Sequence, residues 1–104
     1  SIREKFQNST LRPILKLQHP TTLRLLSDDK NFSKQLKAFQ TKEDYLKGIT
    51  SFLASNKAFR AYIIGCIVGM MTEDELDIYT HNRTEYNKRI IQMQKQRYLD
   101  TWLQ

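Results

Sequence analysis

The chain has 104 residues, enough for one domain with a modest core but too few for an active-site domain and a separate cofactor domain. Its net charge of +6 permits contact with nucleic acid or another anionic partner, and is equally typical of a solvated exterior. The single cysteine, Cys66, excludes an internal disulfide and suits a reducing compartment. Because the N-terminal residues include no apolar leader, we expect a cytoplasmic protein.

Two prolines divide the first third of the chain. Pro13 is compatible with a helix only in its first turn, so the first helix is predicted to begin near Arg12. Pro20 is predicted to end that helix, because the residue before a proline is disfavoured in the α conformation. Thr21 or Thr22 can cap a further short helix that contains Leu23, Leu25 and Leu26, and a break is predicted at residues 27–31.

Polar residues that can cap helices divide the middle of the chain. Thr41 and Asp44 have the spacing of a capping box, and Asn56 is expected to cap the helix that follows. Thr72 and Glu75 form the clearest capping box, since the acidic residues after Thr72 also favour the positive end of the helix dipole. These caps predict three helices that begin after Thr41, Asn56 and Thr72.

Residues 61–71 contain no charged side chain and no polar group except the Tyr62 hydroxyl. The run is too short to cross a bilayer, which needs about 17–25 apolar residues. A helix that is apolar on all sides is normally buried on all sides. The sequence therefore predicts a single all-α domain over residues 1–104, a bundle of five or six helices around a central apolar helix at about residues 57–71.

Gly65 and Gly69 lie four residues apart and share one face of this helix. Small residues at that spacing allow another backbone to approach, so we predict close helix packing there inside the monomer. Gly48, in the preceding helix, is expected only to weaken its helix by about 1 kcal/mol relative to alanine.

A longer amphipathic helix is predicted at the C-terminus, and the sequence leaves open whether it breaks at His81 and Asn82. Its apolar and long side chains alternate three and four residues apart, as in a heptad seam. Six of these positions are predicted to form a self-association interface: Tyr79, Arg83, Tyr86, Ile90, Met93 and Arg97. The two arginines on this stripe either extend past the core to solvent or pair with acids of a second, antiparallel copy.

Two patterns on the C-terminal helices suggest ligands. Asp77, His81 and Glu85 are four residues apart and could hold a divalent metal on one face of an unbroken helix, although no zinc or di-iron motif is complete. The last helix also alternates basic residues with glutamine and aromatic residues, which could follow a phosphate backbone and stack on bases. The residues of this second pattern are Lys88, Arg89, Gln92, Gln94, Lys95, Gln96, Arg97, Tyr98 and Trp102.

Three segments resemble a small all-helical family of Bacteroidetes-like bacterial proteins without an established activity. They are LRPILKLQHP at residues 11–20, IGCIVGMMTEDEL at residues 64–76 and NRTEYNKRIIQM at residues 82–93. The resemblance implies a helical fold and a bacterial origin, and it implies no site residues.

These features favour a non-enzymatic interaction module without a cofactor or a bound metal. Its expected partner is a second copy or another protein, and no membrane association is expected. The alternative is a basic accessory protein associated with nucleic acid or the ribosome. A small-ligand binder or an enzyme is the less favoured third hypothesis, and it would need a pocket near Gly65 and Gly69 or near Asp77 and His81.

Overall fold

The computed structural model describes residues 1–102, and helices make up almost all of this part of the chain. They are α1 (Ile2–Phe6), a π-helical turn (Gln7–Leu11), α2 (Arg12–Asp28), α3 (Lys30–Leu36), α4 (Lys42–Ser55), α5 (Lys57–Val68), α6 (Glu73–His81) and α7 (Arg83–Trp102). Because the first three follow one another without a break, the described residues form six helical segments and no strand. The predicted all-α bundle is confirmed. None of the helices described here is long and apolar enough to cross a membrane.

The prediction that Pro20 ends the first helix is wrong, because α2 continues through Pro20 to Asp28. A proline inside a helix removes one N–H donor and crowds the carbonyl four residues earlier, here that of Lys16. Both Pro20 and Lys16 are exposed, so water can satisfy this carbonyl. Leu15 and Leu26, one on each side of the proline, are buried in the core and hold both halves of α2 against it.

The prediction that the first helix begins near Arg12 is wrong, because the chain is helical from Ile2 onwards, and Pro13 follows a wide π-helical turn within this continuous segment. There the N–H of Arg12 donates to the carbonyl of Gln7, five residues earlier. Because the ring of Pro13 would crowd the carbonyl of Ser9 in a regular α-helix, this wider turn is a physically reasonable entry into α2.

The predicted caps are confirmed. Thr41 Oγ1 accepts a hydrogen bond from the N–H of Asp44 at 3.1 Å, and Thr72 Oγ1 accepts one from Glu75 at 3.2 Å. In both boxes the carboxylate accepts the N–H of the capping threonine in return. Asn56 Oδ1 accepts the third N–H of α5 at 2.9 Å. Local hydrogen bonds therefore determine where α4, α5 and α6 begin.

The apolar helix α5 packs against α2, α4 and α7, in keeping with its predicted place within the bundle. It buries Phe59, Ile63 and Ile67 against these neighbours. The expectation that it is buried on all sides is wrong, because Tyr62 and Gly65 on the opposite side are exposed. The chain supplies no further helix to cover this side of α5 among residues 1–102.

Helix α7 supplies a buried stripe whose members recur every four residues. These members are Tyr86, Ile90, Gln94 and Tyr98. Four residues turn an α-helix by about 400°, so the stripe rotates by about 40° at each step and faces different neighbours. Tyr86 packs on Phe6 with ring centroids 4.7 Å apart, whereas the hydroxyl of Tyr98 donates to the carbonyl of Thr22 in α2 at 2.6 Å.

Candidate functional site

The predicted self-association seam is largely buried inside the monomer. Tyr79, Tyr86 and Ile90 are at most 5% exposed, and Met93 is half-buried against the same core. An interface between copies needs accessible side chains. The prediction that this seam carries self-association is therefore wrong, because the neighbouring helices of the same chain already cover it.

The two arginines of the seam lie at the edge of the core. Arg83 is exposed, and its guanidinium carbon lies 5.9 Å from the centroid of the Tyr79 ring. Arg97 is half-buried and lines a cleft between α2 and α7. Both positions agree with the first explanation of these arginines, in which the aliphatic stems cover the core and the guanidinium groups reach solvent.

Asp77, His81 and Glu85 are not brought together as a metal site. Asn82 leaves the helical conformation and separates α6 from α7, so Glu85 lies on a different helix from the other two. All three side chains are exposed, and His81 Nδ1 lies 2.5 Å from the carbonyl oxygen of Asp77. Within residues 1–102, no three His, Cys, Asp or Glu side chains are grouped so that they could hold a metal.

One side of α5 and the turn after it presents an exposed apolar surface, which we term the α5 face. Its members are Ala58, Ala61, Tyr62, Gly65, Gly69 and Met70. Tyr62 is 64% exposed and Met70 is 46% exposed. An apolar surface formed by contiguous helix positions is typical of a protein contact site, unlike isolated apolar residues.

The predicted close packing at Gly65 and Gly69 is wrong. A Cβ added at Gly65 would meet no atom within 4 Å. A Cβ at Gly69 would meet only the carbonyl oxygen of Gly65, at 2.9 Å in the same turn of chain. Both glycines therefore leave bare backbone open on the α5 face instead of admitting a neighbouring helix.

Charges of opposite sign lie at the two ends of the α5 face. Lys57 is exposed at its N-terminal end. Glu73, Asp74 and Asp77 follow its C-terminal end and are also exposed. Along the chain, the α5 face therefore follows a basic residue and precedes a group of acidic residues.

A cleft of about 760 Å³ lies between α2 and α7, and we term it the arginine cleft. Arg12 lines it from α2, and Arg89 and Arg97 line it from α7. Asp100 is the one carboxylate among the lining residues that the structure describes, and its Oδ1 accepts a hydrogen bond from Gln96 Nε2 at 2.9 Å. The cleft therefore carries an excess of positive charge.

His19 borders the arginine cleft. Its Nε2 lies 2.9 Å from Thr101 Oγ1, and its Nδ1 is buried without a hydrogen-bond partner among the described residues. Burial and, to a smaller extent, the charge of Arg97 lower the pKa of His19 from its ordinary value of 6.5. The imidazole is therefore mainly neutral at pH 7.

We expect His19→Gln to flatten the dependence of the unfolding free energy on pH between about pH 7 and pH 5. The pKa of His19 is lower in the folded chain than in the unfolded chain. The contribution of His19 to stability is therefore complete at a pH above its pKa in the unfolded chain. It is lost as the pH falls below that pKa towards the lower pKa of the folded chain. Urea denaturation at three pH values measures the slope. The prediction fails if His19→Gln and the matched variant of the exposed His81, His81→Gln, change this slope equally.

The predicted basic and aromatic pattern on the last helix is divided by the fold. Arg89 and Arg97 line the cleft, whereas the lysines of this pattern do not. Tyr98 is fully buried, and the ring of Trp102 stacks on Tyr45 with centroids 4.6 Å apart. Within residues 1–102, no Phe, Tyr or Trp side chain lines the arginine cleft, so the structure separates the basic part of the pattern from Tyr98 and Trp102.

The sequence-based predictions missed the α2 side of the cleft and the exposure of α5. Arg12 and His19 are seven residues apart, and this spacing places both on one face of a helix; that signal could have indicated the α2 wall. No comparable signal shows which side of α5 lacks a neighbour. No family model, no curated protein and no solved structure matches the chain.

Proposed function

We propose that the protein is a non-enzymatic, cytoplasmic interaction module that self-associates through the α5 face. The observation that carries this proposal is the exposure of Tyr62 on the most apolar helix of the chain. Tyrosine suits such a contact because its ring supplies apolar area while its hydroxyl stays hydrated or hydrogen-bonded.

An antiparallel pair of α5 helices centred on Gly65 accounts for both the shape and the charge of the face. In that register residue 62 of one copy opposes residue 68 of the other, between Gly65 and Gly69. The ring of Tyr62 would then pack over the bare backbone that the two glycines leave open. Two-fold symmetry would repeat this contact, so each copy would contribute one ring and one glycine surface.

The same register brings the oppositely charged ends of the two faces together. Because α5 ends at Val68, Lys57 of one copy would lie beyond the C-terminal end of the other copy's α5, on the side of the turn that leads to the acidic residues beginning at Glu73. A parallel arrangement would instead place like charges side by side at both ends. Charge complementarity therefore favours the antiparallel pair and a second copy of this chain as the occupant.

We expect sedimentation equilibrium to show a mass above the monomer value of 12.4 kDa at protein concentrations of about 50 µM. Tyr62→Glu should return the protein to the monomer mass, because it would bury a charge against an apolar surface. Ile2→Glu is the matched control, since Ile2 is also an exposed apolar residue and lies outside the α5 face. A monomer mass at every concentration, or equal effects of the two variants, would refute the proposal.

Charge reversal tests the register of the pair separately from its existence. Lys57→Glu should weaken self-association, and the double variant Lys57→Glu with Glu73→Lys should restore it. Both effects should diminish at about 1 M salt, where ionic interactions are screened within a few ångströms. If the double variant associates no better than Lys57→Glu alone, the antiparallel register is wrong.

A further inference from the structure

We propose that the arginine cleft binds a small molecule that carries phosphate groups. The cleft lies between α2 and α7 and shares no residue with the α5 face. This inference is therefore independent of the proposed self-association.

No carboxylate within residues 1–102 forms an ion pair with a guanidinium group of the cleft. Within residues 1–102, the one ion pair joins Arg24 to Asp28, which lie outside the cleft. Arg12 and Arg97 therefore have no carboxylate of this part of the chain within 4.0 Å. An arginine without a paired carboxylate offers several N–H donors to a phosphate group, with which it forms strong charge-assisted hydrogen bonds.

Two glutamine side chains hold the third arginine in place. Arg89 Nε donates to Gln7 Oε1 at 2.5 Å, and one of its terminal nitrogens donates to Gln92 Oε1 at 3.1 Å. Amide oxygens fix the position of the guanidinium group without cancelling its charge. The other terminal nitrogen of Arg89 makes no hydrogen bond within the described residues, so it is free to contact a ligand.

The size and lining of the cleft suit a small molecule. Its volume of about 760 Å³ falls in the range of small-molecule sites, which is about 300–1,000 Å³. Arg89 and Arg97 lie eight residues apart on α7, or about 12 Å along the helix axis, with Met93 between them. Leu23 of α2 also lines the cleft, so apolar contacts are available beside the two cationic positions.

A single-stranded nucleic acid fits this cleft less well. Proteins that bind such strands without reading their sequence usually stack bases on aromatic side chains beside a basic groove. Among residues 1–102 the arginine cleft is lined by no Phe, Tyr or Trp, because Tyr98 faces the core and Trp102 stacks on Tyr45; its one aromatic ring is the imidazole of His19, whose Nε2 lies 2.9 Å from Thr101 Oγ1. The cleft therefore offers three guanidinium groups to phosphate groups but no Phe, Tyr or Trp of the described residues on which bases could stack.

Isothermal titration calorimetry at about 150 mM salt tests the proposal with two probes, inorganic tripolyphosphate and a single-stranded oligouridylate of twelve nucleotides. We expect tripolyphosphate to bind saturably and more tightly than the oligonucleotide. The double variant Arg12→Gln with Arg97→Gln should weaken that binding by about tenfold or more, since each tenfold corresponds to about 1.4 kcal/mol. Circular dichroism confirms that the variant remains helical.

A charge-matched variant controls for non-specific attraction to a basic protein. Lys34→Gln with Lys37→Gln removes the same charge from exposed positions at α3, outside the cleft. It should weaken tripolyphosphate binding by less than about threefold, as expected when only the net charge changes. The proposal is overturned if the two double variants weaken binding equally, if tripolyphosphate shows no saturable binding, or if the oligonucleotide binds more tightly.

The titration of His19 locates the ligand by a second method. A phosphate group bound beside His19 would favour the protonated imidazole, so tripolyphosphate should raise the pKa of His19 as measured by NMR. His81 lies outside the cleft and serves as the internal reference. A shift of equal size at both histidines would show that the anion binds elsewhere and would also contradict the proposal.

Discussion

Gly48→Ala is expected to destabilise the protein by about 1–3 kcal/mol, although alanine is the better helix former. A Cβ at Gly48 would overlap the ring of Phe39, which lies in the connection between α3 and α4. That ring makes edge contacts with Phe32 and Tyr45, with centroids 6.1 and 6.0 Å away. Moving it aside would break these contacts, and we expect this loss to exceed the gain of about 1 kcal/mol in helix propensity.

Gly65→Ala is the matched control, because a Cβ at Gly65 meets no atom within 4 Å. It should stabilise the chain by about 0.5–1 kcal/mol through helix propensity alone. Urea denaturation at about 1 µM protein would keep self-association from contributing to the measurement.

A double-mutant cycle tests whether the ring of Phe39 is the obstacle. In a Phe39→Leu background, Gly48→Ala should destabilise the protein much less than in the wild type. Equal effects of Gly48→Ala in the two backgrounds would show that the ring is not the obstacle.

Gln94→Met is expected to stabilise the protein by about 1–3 kcal/mol. Gln94 is fully buried in the middle of α7, and neither its Oε1 nor its Nε2 has a hydrogen-bond partner among the described residues. A buried polar group without a partner loses its hydration without compensation. Methionine has a similar length and flexibility, so it can fill the same space without amide atoms that need partners.

The matched control for this prediction is Gln96→Met, because Gln96 is exposed on the same helix. Its effect on the free energy of unfolding should remain within about 0.5 kcal/mol. Urea denaturation of the two variants and the wild type gives the comparison. Destabilisation by Gln94→Met would show that the amide of Gln94 is hydrogen-bonded in solution, for example to a buried water molecule.

Several elements of the fold could be predicted because their causes are local. The caps at Thr41, Asn56 and Thr72 depend on side chains that reach the N–H of a residue two or three positions away. Pro20 shows the limit of local rules, since the burial of Leu15 and Leu26 in the core keeps α2 helical through a residue that normally ends a helix. Propensity is a weak influence when tertiary contacts oppose it.

The candidate sites were harder to predict than the helices. A stripe of apolar residues predicts that a surface is buried, but not whether the same chain or a second copy buries it. The predicted interface at Tyr79, Tyr86 and Ile90 lies in the monomer core for this reason. The α5 face, predicted to be internal, is open because α2, α4 and α7 cover only the other sides of α5.

The sequence by itself determined the all-α class, the start of α4, α5 and α6 and the absence of an internal disulfide. These properties depend on composition and on contacts between residues that are close along the chain. Only the tertiary structure decided that Gly48 is confined and Gly65 is open, and that Arg12 and Arg97 line one cleft. These properties depend on which helices meet, and helices that are far apart in sequence meet through packing that no local pattern specifies.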